Sequence, residues 1–203
     1  LVGSEMCIRD RVNEACLLAA RKDKKAITME EIQEATIKVI AGPEKKSHKV
    51  TPKEKRLTAF HEAGHAVCTY YCDHQDKVHQ VSIIPRGMAG GYTMSLPEQD
   101  KSFVSKKEME ENIITLLGGR VAEQLVLDDI STGASNDLER ATSTARSMVT
   151  RYGFSEKLGP VVYGNDQSEV FLGRDLGSSR DYSDRVAGEI DDEVREIIEK
   201  AYD

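Results

Sequence analysis

The sequence predicts a mainly α-helical fold that contains one small β-sheet, and three observations support this prediction. Apolar residues recur at helical spacing over several stretches of the 203-residue chain. Capping boxes of the Thr-x-x-Glu and Ser-x-x-Glu types at 28–31 and 105–108 mark helix starts, because each pair can satisfy two backbone N–H groups. Two short runs, 78–84 and 91–96, have the composition and flanking turn residues of strands.

The predicted elements follow one another in a simple order. Two short helices lie within 12–40, and the first is expected to carry Val12, Cys16 and Leu17 on one side, together with Ala19 and Ala20. Thr51 opens an amphipathic, alanine-rich helix that continues to about Tyr71. The two strands follow, separated by a turn. The rest is predicted as helices at 105–126, 138–152 and 181–202, with a loop at 128–133 and an irregular stretch at 155–177.

Composition and charge exclude several classes of protein. The longest fully apolar run, 15–20, is too short for a membrane-spanning helix, which needs about 20 residues. A net charge of −7, with the acidic excess in 61–203, argues against a nucleic-acid partner. The four cysteines are too few and too irregular for a disulfide framework, so a reduced, cytoplasmic setting is expected.

His61, Glu62 and His65 form an HExxH sequence on the helix predicted from Thr51. Two histidines four residues apart lie on one helix face, so both imidazoles can reach one Zn²⁺. Glu62 lies about 100° around the helix from His61, beside the ligands, where it can act as a general base. The pattern predicts a zinc hydrolase site, and a helix with two solvated histidines is the alternative.

A catalytic zinc needs a third protein ligand, which the residues shortly after the motif do not supply. Cys68 and Tyr71 stand where a metzincin would have Gly and His. Asp137 lies in the first turn of a predicted helix, where the helix dipole favours an ionised ligand. We favour Asp137 as the ligand and Glu123, on an apolar stripe, as the acceptor for a ligand imidazole N–H. A surface position near the end of its helix is the alternative for Glu123.

A mixed Cys/His metal site is an alternative that helix geometry disfavours. Cys68 and Cys72 continue the face of His61, but Cys72 lies about 16 Å along the helix axis from His61. One ion cannot bridge that distance, so both cysteines are predicted to pack in the core.

Six motifs between 61 and 174 point to one known family. They are HEAGH (61–65), VSIIPRG (81–87), GGRVAE (118–123), STGASND (131–137), RSMVTRYGFSEKLGP (146–160) and VFLGR (170–174). Together they resemble the peptidase domain of the FtsH family of membrane-anchored, ATP-dependent zinc metalloproteases. The resemblance implies that His61, His65 and Asp137 bind zinc and that Glu62 is catalytic.

The resemblance also implies a domain organisation. Residues 12–42 resemble the C-terminal part of the family's AAA ATPase lid, and 43–50 are expected to be a linker. Residues 51–203 are the expected zinc metallopeptidase domain, which is expected to stop short of the family's C-terminal end. Residues 1–11 do not match the expected helix and are predicted to be a non-native segment. The predicted fold is thus a helical zinc-peptidase domain with a small β-sheet, preceded by a partial AAA lid.

The cofactor and partner expectations follow from the same resemblance. Zn²⁺ is the expected cofactor, and ATP and Mg²⁺ are expected only through a missing ATPase module, because no GxxxxGK[ST] sequence occurs here. The expected partners are unfolded polypeptides and, in the full-length protein, further copies in a homo-hexamer. No nucleic acid and no membrane segment are expected for this chain. The full-length protein is expected on the cytoplasmic side of the bacterial inner membrane, and this fragment is expected to be soluble.

Gly91, Tyr92, Thr93 and Met94 resemble the family's strand at the edge of the substrate cleft. That strand is expected to bind an unfolded polypeptide by strand addition, and an ordinary sheet edge is the alternative. The expected function is a zinc-dependent endopeptidase that cleaves unfolded or membrane-extracted polypeptides, coupled to an AAA unfoldase that this chain lacks. A catalytically silent assembly fragment and a zinc hydrolase of small molecules are the alternatives.

Overall fold

In the part of the chain that the structure describes, the fold consists of six α-helices and one two-stranded sheet. This computed structural model describes residues 2–45, 50–87, 89–97, 101–164 and 182–203. The mainly α-helical class with a small sheet is confirmed. The elements are α1 (Val2–Arg21), α2 (Met29–Ala41), α3 (Pro52–Tyr71), β1 (Val78–Ser82), β2 (Tyr92–Ser95), α4 (Lys106–Leu127), α5 (Ser135–Thr150) and α6 (Asp184–Tyr202).

Capping side chains determine where the two helices that carry the site begin. Thr51 accepts a hydrogen bond from the Glu54 backbone N–H, and Pro52 occupies the first turn of α3, where no partner for its nitrogen is needed. Ser105 accepts in the same way from Glu108 at the start of α4. The predicted starts of these helices therefore agree with the structure.

Helices α3 and α4 pack so closely that glycine is required at their contact. A Cβ atom on Gly64 would lie 2.2 Å from the Gly118 carbonyl oxygen, and one on Gly118 would lie 2.8 Å from the Cys68 Sγ. No larger residue fits without moving backbone. This contact places the HExxH face of α3 directly on α4.

The hydrophobic core lies on the opposite side of α4, between α4, α5 and α6. Ile113 and Leu117 of α4, Met148 of α5 and Ile190 of α6 are the largest apolar side chains there with essentially no exposed surface. Alanines on the inner face of α5 let that helix approach α4 closely. The N-terminal end of α5 is thereby held beside α3.

The small sheet covers one side of α3. Strands β1 and β2 are antiparallel, with Val81 opposite Thr93 and Ser82 opposite Tyr92. Both strands are shorter than the predicted 78–84 and 91–96, because the chain leaves the ladder after Ser82 and turns back. The Arg86 and Ala89 backbones then bond to each other across that turn.

The N-terminal hairpin of α1 and α2 differs from the expectation in two ways. Helix α1 begins at Val2, so residues 2–11 continue the helix that was predicted to start near residue 12. Among the side chains described for α1, Ala19 is buried as expected, but Ala15 is buried as well, while Val12 and Leu17 of the predicted face are about half exposed. Small side chains face α2 because they let the two helices approach closely.

Three sequence predictions lie partly or wholly outside the described residues. The predicted linker 43–50 includes 46–49, and the predicted irregular stretch 155–177 leaves the described part after residue 164. The motif VFLGR at 170–174 lies wholly outside it. Among the described helices, none combines the length and the apolar character that a bilayer crossing requires.

Candidate active site

Three side chains from two helices converge on one point. His61 and His65 lie one turn apart on α3, with their Nε2 atoms 3.0 Å from each other. The Asp137 Oδ2 atom, from the first turn of α5, lies 3.4 Å from each of these nitrogens. The structure therefore brings together the residues predicted as metal ligands.

The size of this triangle fits a zinc ion. Ligand atoms at 2.0–2.1 Å from zinc in a tetrahedron are about 3.3 Å apart, close to the three separations observed. Two imidazole nitrogens and a carboxylate oxygen are also donors that zinc prefers. Three such ligands would leave a bound zinc ion one further coordination position for water or substrate, as in catalytic zinc sites.

Hydrogen bonds on the far side of each imidazole fix which nitrogen faces the centre. His61 Nδ1 lies 2.7 Å from the Glu123 Oε1 atom, and His65 Nδ1 lies 2.7 Å from the Thr115 carbonyl oxygen. Both partners are acceptors, so both Nδ1 atoms carry the proton and donate it. Both Nε2 lone pairs then point at Asp137, and three acceptors at this separation need a shared cation.

Glu123 connects the metal site to the segment that leads to Asp137. Its side chain has no exposed surface. While Oε1 accepts from His61, Oε2 accepts a 2.7 Å hydrogen bond from the Ser131 backbone N–H. Both oxygens are therefore satisfied, and the surface position considered for Glu123 is excluded. A role in orienting the His61 ring remains a proposal.

The charges at the centre favour an ionised carboxylate and a proton or metal between the rings. Burial alone would raise the pKa of Asp137, but its contacts with His61 and His65 outweigh burial and lower that pKa well below 3.8. Burial would likewise lower the pKa of His61, but Asp137 and Glu123 outweigh it and raise that pKa above 6.5. Protons and metal thus compete for the same His61 nitrogen.

Glu62 lies beside the ligand atoms and is held by the sheet. Its side chain is largely buried, and Oε2 accepts a 2.7 Å hydrogen bond from the Thr93 hydroxyl of β2. Burial raises the pKa of Glu62 above 4.5, although the Thr93 hydrogen bond opposes the rise. A carboxylate in this state suits a general base that works near neutral pH.

Sequence reasoning missed Gly119 and the carbonyl of Thr115 as parts of this site. A Cβ on Gly119 would lie 2.6 Å from both His61 Cε1 and His65 Nε2, so the rings rest on its bare backbone. Two adjacent glycines inside a long helix are the available signal, because glycine destabilises a helix interior and marks a close approach. A backbone carbonyl leaves no such signal.

The site opens into a cleft of about 900 Å³. Part of β2 and the residue before it line the cleft, so the predicted substrate-binding residues Gly91, Tyr92 and Thr93 border the same space as Glu62. Met94 lies on β2 but is not among the residues that line the cleft. Among the described residues, β2 pairs with β1 alone, which leaves its other edge without a strand partner. The substrate-binding role of this strand remains a proposal.

A mainly helical fold with an HExxH helix and a distant carboxylate at the same centre defines the class of zinc metallopeptidases. The model of peptidase family M41 matches residues 48–203. The chain belongs to this family.

Several curated relatives are similar over nearly the whole chain. An ATP-dependent zinc metalloprotease FtsH of Caldicellulosiruptor bescii is 60% identical over 96% of this chain and 32% of its own length. FtsH 1 of Thermoanaerobacter sp. has the same identity and coverage, and FtsH of Veillonella parvula is 53% identical over 94% of this chain and 30% of its own length. The chain thus spans about a third of the length of these relatives.

Proposed function

We propose that this chain is a zinc-dependent endopeptidase module that cleaves unfolded or membrane-extracted polypeptides. The convergence of His61 Nε2, His65 Nε2 and Asp137 Oδ2 beside the Glu62 carboxylate carries this proposal. Membership of the M41 family and the zinc metalloprotease names of the relatives support it. His61, His65 and Asp137 are the proposed zinc ligands, and Glu62 is the proposed catalytic residue.

The protein side chains divide the reaction between them. When bound, zinc supplies Lewis-acid chemistry, which acidifies water and polarises the scissile carbonyl. Glu62 takes a proton from the attacking water, whose oxygen bonds to the carbonyl carbon. Glu62 then delivers the proton to the amide nitrogen as the C–N bond breaks. Thr115 and Glu123 keep the two imidazoles in the tautomer that leaves Nε2 unprotonated.

The open edge of β2 supports an extended polypeptide as the substrate. A strand that adds to this edge bonds through its backbone, so many side-chain sequences are accepted. An unfolded chain offers such a backbone, whereas a folded protein has its backbone groups already paired. A small-molecule substrate would not use this edge.

The full-length context is proposed from the relatives. Their names describe ATP-dependent enzymes, and this chain spans about a third of their length. We therefore propose that the module works in a homo-hexamer with an AAA ATPase that unfolds the substrate and binds ATP and Mg²⁺. The proposed location is the cytoplasmic side of the bacterial inner membrane.

The test is hydrolysis of a fluorescence-quenched, unstructured peptide by the zinc-loaded chain and by Glu62→Gln. The variant keeps the side-chain volume and the metal ligands but removes the base, so we expect full zinc content and loss of hydrolysis. Glu139→Gln, at an exposed position on α5, is the matched control and should keep full activity. Undiminished hydrolysis by Glu62→Gln would exclude Glu62 as the base. A folded, zinc-loaded wild type without turnover would instead favour a catalytically silent assembly fragment.

A further inference from the structure

The two oxygens of the Glu62 carboxylate have different surroundings. Oε2 lies 2.7 Å from the Thr93 hydroxyl oxygen, which also lies 3.0 Å from the Glu62 backbone carbonyl oxygen. Among the described residues, no hydrogen bond to Oε1 is formed, and this oxygen is not sealed from solvent. One oxygen is thus held in place while the other remains open to the cleft.

Gly91, two residues before Thr93, makes room for the open oxygen. A Cβ atom on Gly91 would lie 2.9 Å from Glu62 Oε1 and 2.6 Å from the Thr58 Cγ2 atom. Contacts that short do not occur in folded proteins, so a side chain at Gly91 would displace the carboxylate or the strand. The segment from Gly91 to Thr93 therefore binds one oxygen of the carboxylate and leaves room for the other.

The place of Thr93 on β2 brings its hydroxyl next to the Glu62 carboxylate. This hydroxyl contacts Glu62 on α3, and Ser95, two residues further along the strand, lines the same cleft. Thr93 lies opposite Val81 of β1 in the ladder, and this pairing fixes the position of Thr93 along the face of α3. The hydroxyl that holds Glu62 thus comes from the same strand whose other edge is open to a polypeptide.

We propose that Thr93 is a positioning residue that holds Glu62 Oε2 and so presents Oε1 to the attacking water. The inference rests on the proposed role of Glu62 as the general base. The water O–H bond breaks, its proton passes to Oε1, and the water oxygen bonds to the scissile carbonyl carbon. Thr93 takes no proton in this step and acts through Glu62 alone.

The test compares Thr93→Val with Thr93→Ser in the zinc-loaded chain. Valine keeps the branched shape and strand preference of threonine but removes the hydroxyl, whereas serine keeps the hydroxyl and removes the methyl group. Thr36→Val on α2 is the matched control, because its hydroxyl donates to the Ile32 carbonyl oxygen away from the cleft.

We expect Thr93→Val to lower kcat about tenfold to a hundredfold, with KM and zinc content unchanged, because a misplaced base slows chemistry without weakening peptide binding. Thr93→Ser should retain kcat within about threefold of wild type, and Thr36→Val should match wild type. The proposal is overturned if Thr93→Val keeps the wild-type kcat, or if Thr93→Ser lowers kcat as much as Thr93→Val does. It is also overturned if the activity lost in Thr93→Val is explained by a lower zinc content or a higher KM.

Crystal structures of the zinc-loaded wild type and Thr93→Val separate this inference from the proposed function. If the wild type cleaves no peptide, the proposed function fails, but the position of the Glu62 carboxylate still answers the question about Thr93. A carboxylate that turns away from its wild-type position in the valine variant supports the inference. A carboxylate that stays in place without the hydroxyl contradicts it.

Discussion

At the scale of single residues, Glu123 shows why an acidic side chain is tolerated without solvent. Both of its oxygens accept hydrogen bonds, one from the His61 ring and one from the Ser131 backbone, so its burial leaves no unpaired acceptor. An amide at this position presents one acceptor and one donor group to the same two donors. A donor would then face a donor, whichever way the amide turns.

Glu123→Gln should therefore weaken zinc binding about tenfold to a hundredfold, the range found when partners of metal-bound histidines are removed. Competition with a chromophoric zinc chelator measures the affinity directly. Glu139→Gln, which makes the same chemical change at an exposed position, should bind zinc as the wild type does. An unchanged affinity in Glu123→Gln would contradict the role of Glu123 in orienting His61.

The pH dependence of zinc binding follows from the raised pKa of His61. Zinc needs the unprotonated ring, and the pKa of this ring in the metal-free protein lies above 6.5 because Asp137 and Glu123 outweigh burial. As pH falls, His61 gains a proton, and zinc affinity should decline from near neutral pH rather than only in strong acid. Chelator competition at a series of pH values tests whether zinc affinity falls as pH falls. A zinc affinity that stays constant down to pH 6.5 would contradict this prediction.

At the scale of elements, the packing of α3 on α4 determines the geometry of the metal site. The histidine rings rest on Gly119, where the missing side chain leaves room for them. A methyl group there would push into both rings, because their atoms lie within 2.6 Å of the position it would occupy. Helix packing and metal geometry are therefore linked at this one residue.

Gly119→Ala should lower both zinc affinity and the free energy of unfolding, the latter by about 1–3 kcal/mol as for other overpacked sites. Gly188→Ala on α6 is the matched control, because no atom of the described residues outside its own helix turn lies within 4 Å of the added methyl group. There alanine should stabilise the protein by roughly 0.5–1 kcal/mol through its higher helix propensity. Denaturant unfolding and zinc titration of both variants check this, and a Gly119→Ala variant with wild-type affinity would refute the linkage.

The elements were predictable to different degrees. Amphipathic and periodic apolar patterns predicted α3, α4, α5 and α6 to within a few residues. The capping box at 105–108 predicted the start of α4, because a helix start depends on local hydrogen bonds. The buried face of α1 was predicted only in part, since Ala19 is buried as expected but Ala15 is buried in place of the larger apolar residues Val12 and Leu17. Which face a helix buries depends on its partner, and that information is not local.

At the scale of the whole molecule, the site exists because three helices meet. Helix α3 supplies two ligand atoms and α5 supplies the third, while α4 supplies the acceptors behind both rings. The spacing of His61 and His65 was visible in the sequence. Periodicity alone could not select Asp137 with certainty from 35 acidic residues, and the Thr115 carbonyl has no side-chain signature. Those parts of the site depend on tertiary packing.

The zinc content of protein purified without added metal tests the central claim most directly. Because the ligand triangle already has the dimensions of a tetrahedral zinc site, we expect about one zinc per chain, and much less in Asp137→Ala. A wild-type value near zero that remains so after incubation with zinc would contradict the account, since the three helices would then not form a metal site.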